Sequence, residues 1–495
     1  MKSTGLRASY PIERPVFAGV GRPVASPATR SGKSSALVPL FLFALALPLF
    51  FYIGPTRMSP YRLILVVTFV PCLLALLSGS LGRIRLADVS MLLAAAWGAI
   101  VLISLHGIDS ALQSAGIFVV ETLGPFLLAR KYIRDYAAFA NMVKALAMTI
   151  IALLPFALIE NVSGSPVLIE AFGKVFPVYP IVGSELRLGL RRAQGTFEYS
   201  ILFGIVCSSA FALSYYVGEN LVRRLMRAGL VVVTVVSSLS SGPLLSLVVQ
   251  GILIGWDKLT ARVARRWMIL AAILGAAFIV IDLTSNRSPF DVFISYLTFN
   301  SDTSYMRVHI WNYGTGSVMR HPILGLGQTE WEHPEWMSGS IDNFWLVAAV
   351  RYGIPGFVFI AGGFLAVCFG LGRIRHLPVE VAQCRKGLII TICGLMISMC
   401  TVHVWDAPYV LILFLLGSGM WMFDAPKDRP PQSRPPRMAF RGRLQVPEAN
   451  SLRSTAVSAC LTDDGRPRPP AAAGRMAMQG ASPGWLTGGG TNATA

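Results

Sequence analysis

Long apolar runs separated by short polar connections dominate this chain. Windows of roughly 20 residues pass without a charge, which is the length at which an α-helix rising about 1.5 Å per residue crosses a bilayer. By that measure the pattern predicts helices near 37–54, 62–80, 88–106, 110–129, 138–159, 199–217, 228–240, 243–256, 267–284, 353–371, 387–404 and 407–423. The polar stretch before the first run is about 35 residues, too long for a signal-peptide n-region, so 37–54 reads as a retained helix. The seventh and eighth runs are short, and Ser240, Ser241, Gly242 and Pro243 break the chain between them. That break suits either a tight hairpin or a re-entrant pair. The expected fold class is all-α: a polytopic integral membrane protein with about 12 transmembrane helices and two long extracytoplasmic loops, about 160–198 and 285–352.

Charge placement orients this pattern. Five basic clusters fall on alternate connections: Arg83 and Arg85; Arg130, Lys131 and Arg134; Arg223, Arg224 and Arg227; Lys258, Arg262, Arg265 and Arg266; Arg373, Arg375, Arg385 and Lys386. All five then lie on one side, which the positive-inside rule makes cytoplasmic, together with both termini. Segments 1–36 and 424–495 flank the multi-span domain 37–423. Both are basic and lack an apolar period, and the second is rich in Pro, Gly and Arg, so both read as disordered cytoplasmic tails.

Composition agrees: 54% of residues are hydrophobic and 14% charged, with mean hydropathy +0.59. A formal charge of +18 would suit a nucleic-acid partner. The arginines instead sit between apolar blocks and in the tails, where anionic lipid headgroups explain them, so no nucleic acid is expected. The seven cysteines form no CxxC pair; Cys72, Cys207, Cys368, Cys393 and Cys400 lie inside apolar runs and read as small core residues.

The two outer loops carry Arg187, Arg191, Arg192, Arg307, Arg320 and Arg351 on the side that arginine ordinarily avoids. Long loops translocate whatever their charge, and an extracytoplasmic anion site is the functional alternative. Adjacent Arg191 and Arg192, followed by Gly195 and Glu198, suit a diphosphate with a carboxylate close by, because guanidinium forks match phosphate oxygens; a basic membrane-edge anchor is the plainer reading. In the second loop Tyr305, Arg307 and Trp311 form a spaced aromatic and cationic set, and Trp311, Trp331 and Trp345 would suit a sugar platform. Gly325 and Gly327 allow a tight turn.

Asp342 or Asn343 caps a short interfacial helix that Gly353, Pro355 and Gly356 end, leaving Arg351 at headgroup level. Glu121 sits deep in an apolar run, as an interhelical partner for an arginine or as a functional group. No HExxH, no Walker loop and no metal-ligand spacing appear, so metal-free chemistry without a cofactor is expected.

These pieces, "RRAQGTFEYSILFG", "SSLSSGPLLSLVVQ", "YMRVHIWNYG" with "HPILGLG", and "SIDNFWLVAAVRYGIPG", resemble the O-antigen ligase/Wzy polymerase superfamily, especially its exopolysaccharide-polymerase branch. The resemblance covers about 100 to 423. It implies a bacterial inner-membrane glycosyltransferase, metal-independent and inverting, that moves glycans from a polyprenyl-diphosphate carrier at the periplasmic face. It assigns Arg192, Gly195 and Glu198 to the first-loop role and Arg307, Asp342 and Asn343 to the second. The implied partners are polyprenyl-diphosphate-linked glycans, membrane lipids and other polysaccharide export proteins.

The chain departs from the family twice. Ligase members usually carry His–Asn where Asp342–Asn343 stand, and related polymerases often carry His-Pro where Tyr199 and Ser200 stand. The general base is therefore left between Asp342 and Glu198, with Asp342 preferred. A ligase is the nearer rival to a polymerase. A lipid-linked-sugar flippase or transporter is the rival from another class, but it would place its polar groups near the midplane, where only Glu121 and the break at 240–243 qualify.

Overall fold

The computed structural model describes residues 36–183, 186–218, 220–263, 265–285 and 301–425. The readings made for the two tails and for 286–300 lie outside these residues. The helices are α1 (Leu37–Leu45), α2 (Pro60–Leu77), α3 (Leu86–His106), α4 (Ile108–Tyr132), α5 (Tyr136–Ser163), α6 (Val167–Gly173), α7 (Ser200–Ser208), α8 (Phe211–Tyr216), α9 (Leu221–Ser237), α10 (Ser241–Leu259), α11 (Arg266–Thr284), α12 (Ser301–Arg320), α13 (Phe344–Arg373), α14 (Val379–Ser398) and α15 (Asp406–Ser418). Eight segments among the described residues are long and apolar enough to cross a membrane. These are α2 to α5, α11, α13, α14 and Asp406–Phe423, which is α15 with the short turn after it. The protein is thus a mainly helical, polytopic membrane protein.

The first expected helix is shorter than its apolar run. Pro48 cannot continue a helix, so α1 stops at Leu45. The remaining residues form a hairpin of β1 (Phe51–Ile53) and β2 (Thr56–Met58) around Gly54 and Pro55. The hairpin's approach is tied to the first long loop, where Phe50 N donates to Pro177 O at 3.1 Å and Leu49 bridges Val178. The break at 238–240 separates two helices of 17 and 19 residues, so neither α9 nor α10 is a short re-entrant segment. The helix expected over 387–404 ends at Ser398, and 399–405 is an irregular connection.

α4 and α15 form the centre. α4 packs against α2, α3 and α15, and every residue of α15 from Ala407 to Ser418 is buried. No residue of α11 is buried, as expected of an apolar helix whose surroundings are lipid.

Where helices break, buried side chains replace the missing backbone bonds. Between α7 and α8, Gln250 Oε1 accepts from Ala212 N (3.0 Å) while its Nε2 donates to Ser208 O (3.0 Å) and Ser246 Oγ (3.0 Å). An unpaired backbone group at membrane depth would otherwise cost several kcal/mol.

One end of the bundle gathers the five basic clusters. Arg130 donates to Arg83 O, Arg85 pairs with Asp424, and Arg85 and Arg373 line one groove. Asp257, nearly inaccessible, takes Arg266 (2.7 Å) and Lys386 (3.0 Å), and Lys258 lies over the ring of Tyr215, whose carbonyl accepts from Arg224. The opposite end carries the first long loop, residues 321–343 of the second, the hairpin and the 399–405 connection.

α13 contains the expected break at Gly353, whose φ of 68° and ψ of 179° are open to glycine and costly for other residues. The "HPILGLG" segment repairs it. Leu326 N donates to Val350 O (2.8 Å), Gly327 N to Arg351 O (2.9 Å), and Ile354 N to Pro322 O (2.8 Å). A Cβ on Gly353 would lie 2.0 Å from Ile323 O, too close for any relaxation short of unseating the segment. Gly353→Ala should therefore destabilise the protein by about 2 kcal/mol or more. Thermal unfolding in detergent checks this, and an unchanged midpoint would show that the repaired kink is not a structural requirement.

Candidate functional site

The first arginine-bearing loop is built around a carboxylate. Glu160, buried at the end of α5, accepts from Gln194 N through Oε1 and from Gly195 N through Oε2, each at 2.9 Å. Gly195 reaches this turn with φ of 61°, where a Cβ would also strike the ring of Phe203 at 2.9 Å. The neighbouring Asn161 donates to Arg191 O (2.5 Å) and Ser237 O (2.8 Å), fastening the loop to the α9–α10 break. Two arginines lean on that break: Arg187 donates to Leu239 O at 2.9 Å and Arg192 to Ser240 Oγ at 3.2 Å.

The second loop meets the same place from the other side. Asn343 caps α13 by accepting from Leu346 N at 3.1 Å, which leaves Asp342 just outside the helix. Arg307, on α12, is buried and donates to Thr401 O at 3.1 Å. Among the described residues its Nε and Nη1 have no hydrogen-bond partner. Its buried positive charge is felt by Asp342, the acid it draws down.

Between the loops runs the 399–405 connection. Phe344 N donates to Met399 O (2.9 Å) and Val402 O (3.2 Å). At its far end Trp405 donates to Glu198 Oε2 (2.8 Å), and Asp406 accepts from Arg57 and Arg62, each at 2.8 Å. Arg62 also reaches Glu121 at 2.6 Å, and Tyr61 donates to the same Glu121 oxygen at 3.0 Å.

This connection is the wall between two cavities, and His403 and Trp405 line both. The first cavity, about 480 Å³, is lined by Arg187, Arg192, Gln194, Tyr199, Ser340 and Asp342. The second, about 350 Å³, reaches down to Glu121 and Asp406 past Gln328, Arg351, Phe118 and Tyr352.

The electrostatics of the first cavity are uneven. Asp342 opens on the cavity but is otherwise ringed by protein, and that burial raises its carboxyl above the usual carboxylate range against the opposing pull of Arg307. Burial likewise lowers Arg307, with Asp342 opposing, though a guanidinium stays charged at neutral pH. His403 is pushed down to about 3 by burial and by Arg351, so its ring is neutral, and its buried Nδ1 has no partner among the described residues. Among the described residues no three His, Cys, Asp or Glu side chains gather as a metal site would require.

The residues singled out from the sequence divide. Asp342 and Arg192 line the first cavity, Arg307 stands behind Asp342, and Glu198 joins the site through Trp405. Arg191 turns away, donating to Gly164 O (2.6 Å) and Val182 O (3.1 Å) with Glu160 at 3.8 Å, so its cation braces the loop and does not enter the cavity. Asn343 is spent on capping. Arg351 and Glu121 line the second cavity.

The expected aromatic platform does not assemble. Trp311 and Trp345 line a separate apolar groove, where Trp345 donates to Met396 O at 3.0 Å. Trp331 is buried and donates to Gly339 O at 2.7 Å, and Tyr305 is exposed beside His309. The sequence reading missed Glu160, Arg187 as a cavity residue, and all of His403, Trp405 and Asp406. Of the run "TVHVWD", 401–404 falls inside the helix expected over 387–404 and Trp405 and Asp406 fall in the gap before the next, although three polar or amphipathic side chains at a helix junction are themselves a signal.

Residues 227–361 match the family model Wzy_C, O-antigen ligase. The match takes in the α9–α10 break, Arg307, Asp342 and the Gly353 kink. It agrees with the resemblance to the O-antigen ligase/Wzy polymerase superfamily read from the sequence and supports a membrane glycan-processing transferase. No curated protein matches the chain.

His403 should remain neutral across the range where an ordinary histidine gains its proton, about pH 5 to 8. Selective ¹⁵N-histidine spectra of the wild type and His403→Gln would identify its signal, and a titration of that signal within the window would contradict the buried, cation-facing placement.

Proposed function

We propose that the protein is a polysaccharide polymerase that joins polyprenyl-diphosphate-linked oligosaccharide repeat units at the periplasmic face of a bacterial inner membrane, with both termini cytoplasmic. The observation that carries this reading is the first cavity. It holds Arg187 and Arg192 opposite one carboxylate with a raised pKa, and Arg307 lies directly behind with unused donors.

A glycosyl diphosphate already carries a good leaving group, so the site must stabilise the charge that develops on it and orient an acceptor hydroxyl. The acceptor oxygen attacks the anomeric carbon, the bond from that carbon to the diphosphate oxygen breaks, and polyprenyl diphosphate departs with the electron pair. Inversion follows from a single displacement. Asp342 takes the hydroxyl proton, a role favoured by its raised pKa. The arginines bind the diphosphate and the charge it gains, and such preorganised donors are worth about 100- to 1,000-fold each in rate. Glu198, held by Trp405, sets the position of that ring and so of the cavity wall. Holding both substrates in place supplies much of the remaining acceleration.

The matched family's name raises the ligase, which would pass finished polymer to a lipid core. Asp342–Asn343 in place of the ligases' usual His–Asn favours the polymerase.

The test is a profile of lipid-linked glycans in cells lacking the protein, rescued with wild type, Arg307→Ala or Asp342→Asn. Polymerase activity predicts single lipid-linked repeats at the periplasmic face, long polymer restored by wild type, and at least a 100-fold loss with either variant. Repeats trapped on the cytoplasmic face would identify a flippase, and long lipid-linked polymer that never reaches a lipid core would identify the ligase.

A pH profile adds a second check. The base must be ionised to act, and its carboxyl is raised, so activity should fall on acidification at a higher pH than an ordinary carboxylate would give. Asp342→Asn should leave a low rate without that limb.

A further inference from the structure

Two cavities that share one wall have opposite characters. The first presents Arg187, Arg192 and the hydroxyl of Tyr199, a lining made for a polyanion. The second has a single cation at its mouth, Arg351, and below it two carboxylates, one amide and a ring of aromatic and aliphatic side chains. Arg57 and Arg62 match Glu121 and Asp406 there, so the lining lacks the surplus of positive charge that a polyanion requires. A polyprenyl chain would press hydrocarbon against the same carboxylates. A neutral, hydroxyl-rich ligand satisfies both halves of the lining: its hydroxyls donate to carboxylate oxygens, and its C–H faces lie on Phe118, Tyr352 and Phe344.

The carboxylates are held as acceptors. Both donors to Glu121, Tyr61 and Arg62, converge on Oε1, and the residue lines the cavity. Arg62 and Arg57 keep Asp406 at the seam, where its φ of 50° sets the chain direction just after Trp405. At about 350 Å³ the volume falls at the small end of the ~300–1,000 Å³ range of ligand sites. At the seam stands His403, whose neutral ring lines both cavities.

We infer that the second cavity, bounded by α3, α4, α13 and α15 and ending on Glu121, binds the terminal sugars of the acceptor glycan, while the arginine cavity takes the donor diphosphate. This rests on the polymerase reading. The reacting hydroxyl then arrives at Asp342 across the His403–Trp405 wall, and Glu121 is a specificity residue for the non-anionic sugar it touches, two helices away from the diphosphate.

The experiment uses the full chain in nanodiscs with p-benzoylphenylalanine in place of Gln328, which lines the mouth of the second cavity, or of Ser340, which lines the first. The probes are the host's repeat-unit oligosaccharide freed from its carrier, and polyprenyl diphosphate without sugar. The free oligosaccharide should label position 328 at least five-fold more than position 340, and polyprenyl diphosphate should show the reverse. If polyprenyl diphosphate labels position 340 but the oligosaccharide labels only 340 or neither position, the acceptor assignment is overturned and the polymerase reading stands. If neither probe labels either position, both fall together.

Ser114→Trp supplies an independent measurement, because its indole would fill much of the cavity. It should raise the KM for repeat units about ten-fold while labelling of position 340 by polyprenyl diphosphate is unchanged. An unchanged KM in a variant that elutes as folded protein overturns the inference.

Discussion

A guanidinium buried among apolar helices needs anionic partners, and Arg62 has two. It spans Glu121 on α4 and Asp406 at the start of α15, and Arg57 from the hairpin completes the charge on Asp406. Removing one partner of so buried a pair costs about 3–5 kcal/mol, because the remaining charge is stranded. That requirement fixes the height of α2 against α4 and α15. It also fixes Asp406, and through it the seven preceding residues that form the wall between the cavities.

The rest of the site end is arranged on that wall. α13 hangs its first amide on Met399 and Val402, Arg307 on Thr401, Ser398 on the α9–α10 break, and Glu198 on Trp405. Elements separated by up to 200 residues therefore share one seven-residue connection. Carbonyls of the connection are taken by groups of the site end, Met399 and Val402 by Phe344 N and Thr401 by Arg307. The same economy appears at Gly353, where the loop that repairs the broken helix also brings Gln328 to the mouth of the second cavity.

The division of labour between the cavities follows from where charge is balanced. In the second, Glu121 and Asp406 are matched by Arg57 and Arg62, so the pocket is polar but nearly neutral. In the first, Arg187 donates to a carbonyl, Arg192 to a hydroxyl and Arg307 to a carbonyl. The positive charge gathered there faces Asp342, which suits a ligand that brings its own negative charge.

The sequence by itself determined the apolar segments and the gathering of the five basic clusters, because lipid admits few alternatives to long apolar helices and the cost of a charge in lipid is paid locally, residue by residue. It also determined the break at Gly353 and a cap at Asp342 or Asn343, since both depend on backbone conformations that particular residues favour; the structure gives the cap to Asn343. It did not determine which arginines reach a cavity. Arg191 and Arg192 are adjacent and alike, yet one braces the loop at Glu160 and the other lines a cavity. Nor did it reveal Glu160 and Asp406 as anchors, or His403 and Trp405 as a wall, because each has its meaning only beside partners far along the chain. Only the tertiary structure decided these, since a charge takes its role from the nearest opposite charge in space, and sequence spacing carries no record of it.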